Sequence, residues 1–301
     1  MRTTRKPRMP RHRCMRLAEL AAAVETNADV TALAAEIRRI TRAAGGHWWR
    51  FGKRTADFLD AQGELESPFR LFARGNGKLP FFAWSVLPLV TCPGAGTCAN
   101  WCYSFKAWCY PAAFFRMLIN TVLERTAWGR AMIAAEWAKL PHGTDFRLYV
   151  DGDHATLETM AFWFETLDAR TDIKAYGYSK SWHLFTAWGA RNAFPDNYLL
   201  NLSSGSRFDN DPAMFARVSE LACTRGTFTA VDGLSTHANY RPGHELEPKQ
   251  HLAELRERAR AVLGVDKVFA CPGRCGTCTP KGHACGSRAL TGVPIVIATH
   301  A

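Results

Sequence analysis

Short apolar runs alternate with longer amphipathic stretches through most of the chain from residue 81 onward. The runs carry aromatic and β-branched residues with little polar alternation, which is typical of strands buried on both faces. They predict seven strands, at Phe81–Val90, Phe146–Val150, Ile173–Tyr178, Tyr198–Leu202, Thr227–Val231, Lys267–Ala270 and Val293–Ala298. Strands that alternate with helices indicate βα repeats on a parallel sheet. Residues 81–301 are therefore predicted to form a partial (β/α)6-type parallel barrel, six βα units with a closing strand. An open Rossmann-type sheet is the alternative, but its GxGxxG fingerprint is absent.

The preceding segment, residues 17–80, is predicted to be a helical extension. Apolar residues recur at helical spacing from Leu17 to Ala44, with a break near Asn27 and a stop at Gly45. The next stretch, HWWRFGKR at 47–54, either closes one end of the core or stacks on nucleic-acid bases. Residues 55–80 read as irregular structure.

The charge distribution changes the picture at the N-terminus. The chain of 301 residues has a formal charge of +11, and residues 1–16 carry seven Arg or Lys and no acid. The other residues therefore sum to only +4. This pattern predicts a basic flexible arm that binds phosphates, which makes nucleic acid a candidate partner. A merely solvated terminus and an organellar transit peptide are the alternatives.

Ten cysteines without an apolar signal region indicate a reducing compartment, so we expect a cytoplasmic protein without a membrane span. Eight of the ten fall into two groups. Closely spaced cysteines separated by Gly and Pro allow several thiolates to converge on a metal. The predicted metal ligands are Cys92, Cys98, Cys102, Cys109, Cys271, Cys275, Cys278 and Cys285.

These eight thiols could hold one or two [4Fe–4S] clusters. Cys271-x3-Cys275-x2-Cys278 is the spacing associated with a cubane that has one open iron, whereas zinc ribbons use paired Cys-x2-Cys units. Zinc remains the alternative for one cluster, and a single cluster shared between both groups also remains open. His283 could replace a cysteine ligand.

Polar residues follow the carboxyl ends of the predicted strands. Because these ends share one edge of a parallel barrel, where active sites form, we expect the residues to converge. Asp and Gly are also ordinary turn formers after strands, which is the alternative explanation. The predicted catalytic residues are Asp151, Asp153, Lys180 and Asp232, and the predicted cofactor-binding residues here are Asn201 and Ser203.

Three sequence features carry a family resemblance: CPGAGTCANWCYSFKAW, the pair FRLYVDGD and IKAYGYSKS, and the Cys-rich C-terminus. Together they resemble the gene-product-88 family of mycobacteriophage and plasmid proteins, over roughly residues 75–290. The resemblance implies an origin in a mobile genetic element and does not imply a particular activity.

A wider resemblance is to radical SAM enzymes, which place three cysteines after the first strand of a partial barrel. It implies an iron–sulfur cluster, SAM as a possible cofactor, and a role beside the cofactor for Trp101, which precedes the third cysteine. The spacing differs, because Cys92-x5-Cys98-x3-Cys102 replaces Cys-x3-Cys-x2-Cys, and no GGE-like run follows the second strand.

The predicted function is an iron–sulfur protein of a phage or plasmid. The sequence does not decide whether it is an enzyme, and its substrate, a small molecule or a macromolecule, is unknown. The alternative is an iron–sulfur nucleic-acid-binding regulator, or a nuclease in which Asp151 and Asp153 hold Mg²⁺.

Overall fold

Seven parallel strands form one sheet that curls into a half-barrel, with helices before it and on its outer face. The computed structural model describes residues 9–74, 79–231, 248–273, 275–276, 278–279 and 282–298. The strands are β1 Ala73–Arg74, β2 Phe82–Ala83, β3 Asp145–Leu148, β4 Lys174–Ser179, β5 Tyr198–Ser203, β6 Thr224–Val231, β7 Phe269–Ala270 and β8 Ile295–Ala298. The helices are α1 Arg11–Ala22, α2 Asn27–Ala44, α3 Gly46–Asp60, α4 Pro111–Leu123, α5 Ala127–Ala138, α6 Leu157–Asp168, α7 Trp182–Gly189, α8 Pro212–Ser219 and α9 Pro248–Leu263.

The strand order confirms the predicted partial barrel. Strands β2 to β6 lie side by side in chain order and all run parallel, while β1 adds an antiparallel edge. A doubly wound sheet would reverse its strand order at a central switch point, whereas here the order from β2 to β6 follows the chain without a reversal. The last strand differs from a simple closing strand, because β8 pairs with both β6 and β7 and so lies between them. Pro294 precedes it, where a missing N–H costs the ladder nothing.

Within the first predicted strand, Phe81–Val90, only β2, Phe82–Ala83, forms a regular strand. Beyond β2 the chain still follows β3, since the Trp84 N–H donates to the Arg147 carbonyl at 3.1 Å and the Val150 N–H donates to the Trp84 carbonyl at 2.9 Å. Leu89 then adopts a positive φ of 69°. This turn directs the chain out of the sheet and into the first cysteine loop.

The N-terminal predictions need two corrections. Residues 11–16 are not part of a flexible arm, because they form the start of α1, whose Cys14 and Leu17 are buried; residues 1–8 lie outside the described residues. Residues 55–60 are not irregular, because α3 continues to Asp60. Both helices form because their apolar residues find a tertiary partner, which overrides local composition.

The stretch at 47–54 lies within α3, and its aromatic rings contribute to the core. Trp48 is buried and packs edge-to-face on Phe114 and Phe115 of α4, with ring centroids 5.9 Å apart in each pair. This contact supports the core-closing interpretation of the stretch. No helix within the described ranges is long and apolar enough to cross a membrane.

The two faces of the sheet are covered differently. Side chains that point outward, such as Tyr198 and Leu200 of β5, join one continuous core with the helices. Side chains that point inward, such as Tyr176 of β4 and Leu199 of β5, pack against the Cys-rich segment near the C-terminus. That segment therefore fills the concave face that an incomplete barrel would leave open.

Candidate metal centres

The first cysteine loop, residues 91–110, crosses the carboxyl ends of the strands and is called the rim loop. The glycines of CPGAG make its path possible. A Cβ on Gly94 would lie 1.8 Å from the Lys180 carbonyl oxygen, and one on Gly96 would lie 2.5 Å from the Arg207 nitrogen. Backbone hydrogen bonds hold the crossing, since the N–H groups of Gly96 and Cys98 donate to the Gly205 carbonyl at 3.0 and 3.3 Å.

Three thiols of the rim loop, the rim cysteine set, lie near one another: Cys92, Cys98 and Cys102. Burial and then the nearby Asp153 carboxylate raise the pKa of Cys92, and the Lys180 ammonium opposes the rise. Burial also raises the pKa of Cys98, again opposed by Lys180. A cation in this position would favour the thiolate forms that bind metals.

Lys180 and Ser203 meet as the barrel geometry predicts. The Lys180 Nζ donates to the Ser203 Oγ at 2.7 Å, which joins the carboxyl ends of β4 and β5. The two side chains lie beside the rim cysteine set. This pair is the clearest success of placing polar residues by strand ends.

Asp153 is buried, and its carboxylate is fully occupied by the fold. Its Oδ2 accepts hydrogen bonds from the Ser179 Oγ, the Lys180 N–H and both the N–H and Oγ of Ser181, at 2.9–3.2 Å, and its Oδ1 accepts from the His154 N–H at 2.8 Å. Burial raises the pKa of Asp153, although these donors oppose the rise. Asp153 thus anchors the turn after β4 to the loop after β3.

Asp151 faces a different environment, although only Gly152 separates the two carboxylates. Burial raises the pKa of Asp151, while hydrogen bonding to Ser104 and the charges of Arg147 and Arg116 oppose the rise. The side chain thus lies among cations beside the rim loop. It is freer than Asp153 to contact a substrate.

Other predicted rim residues are distributed differently. Trp101 is 51% exposed at the surface of the rim loop. Asp232 lies outside the described residues. Asn201 points away from the rim, because its Nδ2 donates to the Gly177 and Cys285 carbonyls at 3.1 and 3.0 Å. Its amide therefore binds the C-terminal segment through the Cys285 carbonyl.

Cys109 lies apart from the rim cysteine set. Burial, and next the neighbouring Cys109, raise the pKa of Cys14 on α1 to about 12. Cys109 itself is exposed. Cys109 thus lies near Cys14, which belongs to neither cysteine group of the sequence, and three thiols remain on the rim.

The C-terminal cysteine set comprises Cys271, Cys275, Cys278 and Cys285. All four pack against the inward aromatic cluster that contains Phe81, Tyr176 and Tyr178. Burial raises the pKa of Cys271 to about 12, and the three other thiols contribute to the rise. Burial raises the pKa of Cys285 to about 11, and hydrogen bonding to Tyr178 opposes this rise.

Backbone donors and cations surround this C-terminal set. The Gly273 N–H donates to the Cys271 sulfur and the Ala284 N–H to the Cys278 sulfur, both at 3.4 Å. The Arg225 guanidinium lies near Cys285. Such donors and charges stabilise thiolate sulfur and are typical of metal-thiolate sites.

Sequence reasoning missed two arginines, the half-buried Arg147 and the fully buried Arg225. Arg147 of β3 places its guanidinium carbon 4.6 Å from the Tyr178 ring centroid, between Asp151 on one side and Cys275 on the other. Arg225 of β6 donates to the Asn201 Oδ1 at 2.5 Å. Both occupy strand positions that sequence patterns assign to apolar residues, so only the tertiary structure reveals them.

His283 lies in the C-terminal pocket, with its ring centroid 4.6 Å from those of Phe81 and Tyr176. Its Nδ1 accepts from the Gly286 N–H at 3.1 Å, and burial lowers its pKa. Across the ranges that the structure describes, no three His, Cys, Asp or Glu side chains are already arranged to hold a metal ion.

Comparison with known proteins gives one match. A family model described as Gene product 88 matches residues 71–289, which is most of the chain. No curated protein and no solved structure matches. These comparisons therefore do not support the wider resemblance to radical SAM enzymes.

Proposed function

The chain belongs to the gene product 88 family, and we propose that it is an iron–sulfur protein with two separate clusters. The observation that carries the proposal is the division of the cysteines. Three thiols lie on the rim, four lie in the concave pocket, and Cys109 lies with Cys14. The four-thiol set provides every ligand that a cubane needs, whereas the three-thiol set leaves one iron for another ligand.

The donor chemistry supports metal at the C-terminal set. Four thiols, of which Cys285 is buried and the others half-buried, two N–H···S contacts and nearby guanidinium groups suit a fully ligated, structural cluster. The same four sulfurs would also suit zinc, which remains the alternative here. In either case the metal would fix the segment that fills the half-barrel.

The rim cysteine set supports an enzymatic role. It lies at the carboxyl ends of the strands, where parallel barrels place their chemistry, and Asp151, Lys180 and Ser203 lie beside it. In this proposal, SAM is the candidate ligand of the open iron. Lys180 and Asp151 would then orient the substrate through charge and hydrogen bonds.

The alternative is a nucleic-acid-binding regulator or nuclease in which the clusters are structural or redox-sensing. The nuclease form places Mg²⁺ on Asp151 and Asp153. The five hydrogen bonds that Asp153 already accepts weigh against it, because a metal would have to displace them.

Anaerobic purification with iron, sulfide and zinc analysis tests the metal proposal. We expect brown protein with about eight iron and eight sulfide per chain, from two [4Fe–4S] clusters. About four iron with one equivalent of zinc would assign zinc to one set. Colourless protein without iron would overturn the proposal.

The enzyme role is tested by adding SAM to the reduced protein and recording its EPR spectrum. The Cys275→Ala variant isolates the rim cluster, and we expect SAM to change its spectrum. The Cys92→Ala variant isolates the other cluster, whose spectrum should not respond. If SAM leaves every spectrum unchanged, SAM is not the ligand, and the regulator alternative gains support.

A further inference from the structure

The rim loop exposes an unusual concentration of aromatic side chains. Within the described ranges, seven large apolar side chains are exposed, and three of them lie in this loop. Trp101 is 51% exposed, Tyr103 is 50% exposed and Tyr110 is 67% exposed. Single exposed apolar residues are ordinary, but several together mark a binding surface.

The rim loop itself is packed on the protein, so these rings are not exposed merely because the loop is loose. Trp108 of the same loop is buried, with its ring centroid 5.4 Å from that of Phe114. Tyr103 is fixed in place, since its hydroxyl donates to the Val150 carbonyl at 2.7 Å. The loop thus separates its aromatic residues into an inner group that packs and an outer group that is held toward solvent.

The surroundings of these rings are cationic. The rim loop, residues 91–110, contains no Asp or Glu, and the segments 173–195 and 197–208, which include β4 and β5, also lack acids. The Arg11 guanidinium lies 3.8 Å from the Phe105 ring centroid, which brings the start of α1 to the rim loop. Lys106 is exposed within the loop, and Arg207 donates to the Pro93 carbonyl at 3.2 Å.

Three acids lie near the rim, and one of them, Asp151, hydrogen-bonds Ser104 and is countered by the charges of Arg147 and Arg116. Asp209 accepts from the N–H groups of Gly205 and Ser206 at 2.7 and 3.1 Å, and Asp153 is buried under its five donors. Exposed rings beside cations together fit a partner with flat π-faces and a repeating negative charge. An acidic protein would match the charge but would not use the exposed rings.

We propose that the rim loop binds a single strand of nucleic acid. Bases stack on Trp101 and Tyr110, and Arg11, Lys106 and Arg207 contact the phosphates. A duplex would not fit this surface as well, because its base faces are already stacked. This proposal depends on the proposed function in one respect, because the rim cysteine set lies on the same loop. It identifies a single strand as the macromolecule that this site would meet.

Fluorescence anisotropy with labelled oligo-dT, oligo-rU and a matched duplex tests the proposal on the full-length, metal-loaded chain. We expect both single strands to bind more tightly than the duplex. Trp101→Ala and Tyr110→Ala should each weaken binding about tenfold, the usual contribution of one stacked base. Lys106→Ala and Arg207→Ala should weaken all strands equally and reduce the salt dependence by about one counterion each.

Two controls separate this surface from others. Trp49→Ala removes an aromatic ring from α3, where Arg42 lies 5.2 Å above it, and tests the stretch at 47–54 as a rival surface. Val262→Ala removes an exposed apolar side chain of α9 that is 62% exposed. Both should bind like the parent protein. Normal binding by the Trp101→Ala, Tyr110→Ala double variant, or loss with Trp49→Ala, would overturn the proposal.

Iron analysis of the Tyr110→Ala variant keeps the two proposals apart. Full iron content with weakened strand binding supports the aromatic surface independently of cluster chemistry. Iron-free parent protein that still binds strands through Trp101 would overturn the cluster proposal and leave this one intact. Iron-loaded protein that binds an acidic polypeptide as tightly as oligo-dT would overturn the nucleic-acid proposal alone.

Discussion

The two cysteine sets share a ligand chemistry but differ in how the fold holds them. The rim cysteine set lies on a loop that glycines allow to cross two strand ends, beside Lys180 and next to exposed aromatic rings. The C-terminal cysteine set lies inside the half-barrel, among buried aromatic rings. A three-thiol site at the strand ends suits reaction with a ligand, and a four-thiol site inside the half-barrel suits structure.

The difference also explains how an incomplete barrel is stable. A half-barrel of parallel strands has a concave apolar face, and parallel sheets are normally covered on both faces. Here the C-terminal segment provides that cover, with Phe81 and Tyr176 packed on Ala284 and Cys285. The metal proposed for the enclosed site would therefore contribute to folding as well as to any chemistry.

Metal removal should give the largest effect that separates the two sets. Stripping metal from the Cys92→Ala variant removes the enclosed cluster alone, and we expect a loss of about 5 kcal/mol or more in the free energy of unfolding. Stripping the Cys275→Ala variant removes only the rim cluster and should cost much less. Chemical denaturation under anaerobic conditions measures both. Equal losses would mean that the enclosed site is no more structural than the rim.

Arg225 should be the next most sensitive position. Its guanidinium is fully buried and donates to Asn201 and to the carbonyls of Leu290, Val293 and Thr227. Arg225→Leu leaves these acceptors unsatisfied, and we expect a loss of about 4 kcal/mol in unfolding free energy.

The same variant should lose iron selectively. Asn201 holds the Cys285 carbonyl, so the enclosed cluster should be depleted while the rim cluster stays. Arg288→Ala, an exposed arginine that donates to the Asp196 carbonyl, is the matched control and should keep both. Depletion of the rim cluster instead would contradict the assignment of Arg225 to the enclosed site.

Glu124 contacts Trp84, which precedes the rim loop, and it should make the free energy of unfolding depend on pH. Burial raises its pKa from 4.5 to about 7, even though Trp84, Tyr149 and Trp163 all donate to its Oε1. The folded state therefore binds this proton more tightly than the unfolded state. Its stabilising contribution is complete below pH 4.5 and is lost as the pH rises to about 7, a change of about 3 kcal/mol.

The pH effect is measured as the difference in unfolding free energy between the parent protein and Glu124→Gln. Taking the difference removes the contribution of the thiols, because they titrate in the same way in both proteins. It should change between pH 4.5 and 7 and be flat above. A difference that is constant across this range would show that Glu124 is ionised throughout.

Gly94→Ala should give the smallest effect on stability and the most local one. The added Cβ would meet the Lys180 carbonyl, so the rim loop must move, at a cost of about 2 kcal/mol. Iron should be lost from the rim cluster only. Gly264→Ala has a positive φ of 64° but open space around it, and it controls for backbone strain alone. Normal rim iron in Gly94→Ala would show that the close crossing is not needed.

The sequence predicted the repeating part of this structure well, because strand and helix patterns are local. All seven parallel strands were found near their observed positions, and Lys180 and Ser203 met because neighbouring parallel strands end together. The position of β8 between β6 and β7 could not be predicted, since strand order beyond neighbours depends on tertiary packing.

The parts of the site that sequence reasoning missed are all long-range. Cys109 meets Cys14 because α1 packs against the rim loop, and nothing near either cysteine in sequence indicates that contact. The enclosed pocket depends on Tyr176 and Phe81, far from the C-terminal cysteines in the chain. The glycine signal in CPGAG was present, but its meaning needed the strand ends that it crosses.

Iron and sulfide counts on Cys92→Ala, Cys275→Ala and their double variant test the central claim most directly. Two separate clusters predict that each single variant keeps about half of the parent iron, that the double variant keeps none, and that Cys109→Ser keeps all. One cluster shared between the rim and the C-terminal set predicts that either single variant loses everything. That second result would contradict the division into a rim site and an enclosed site.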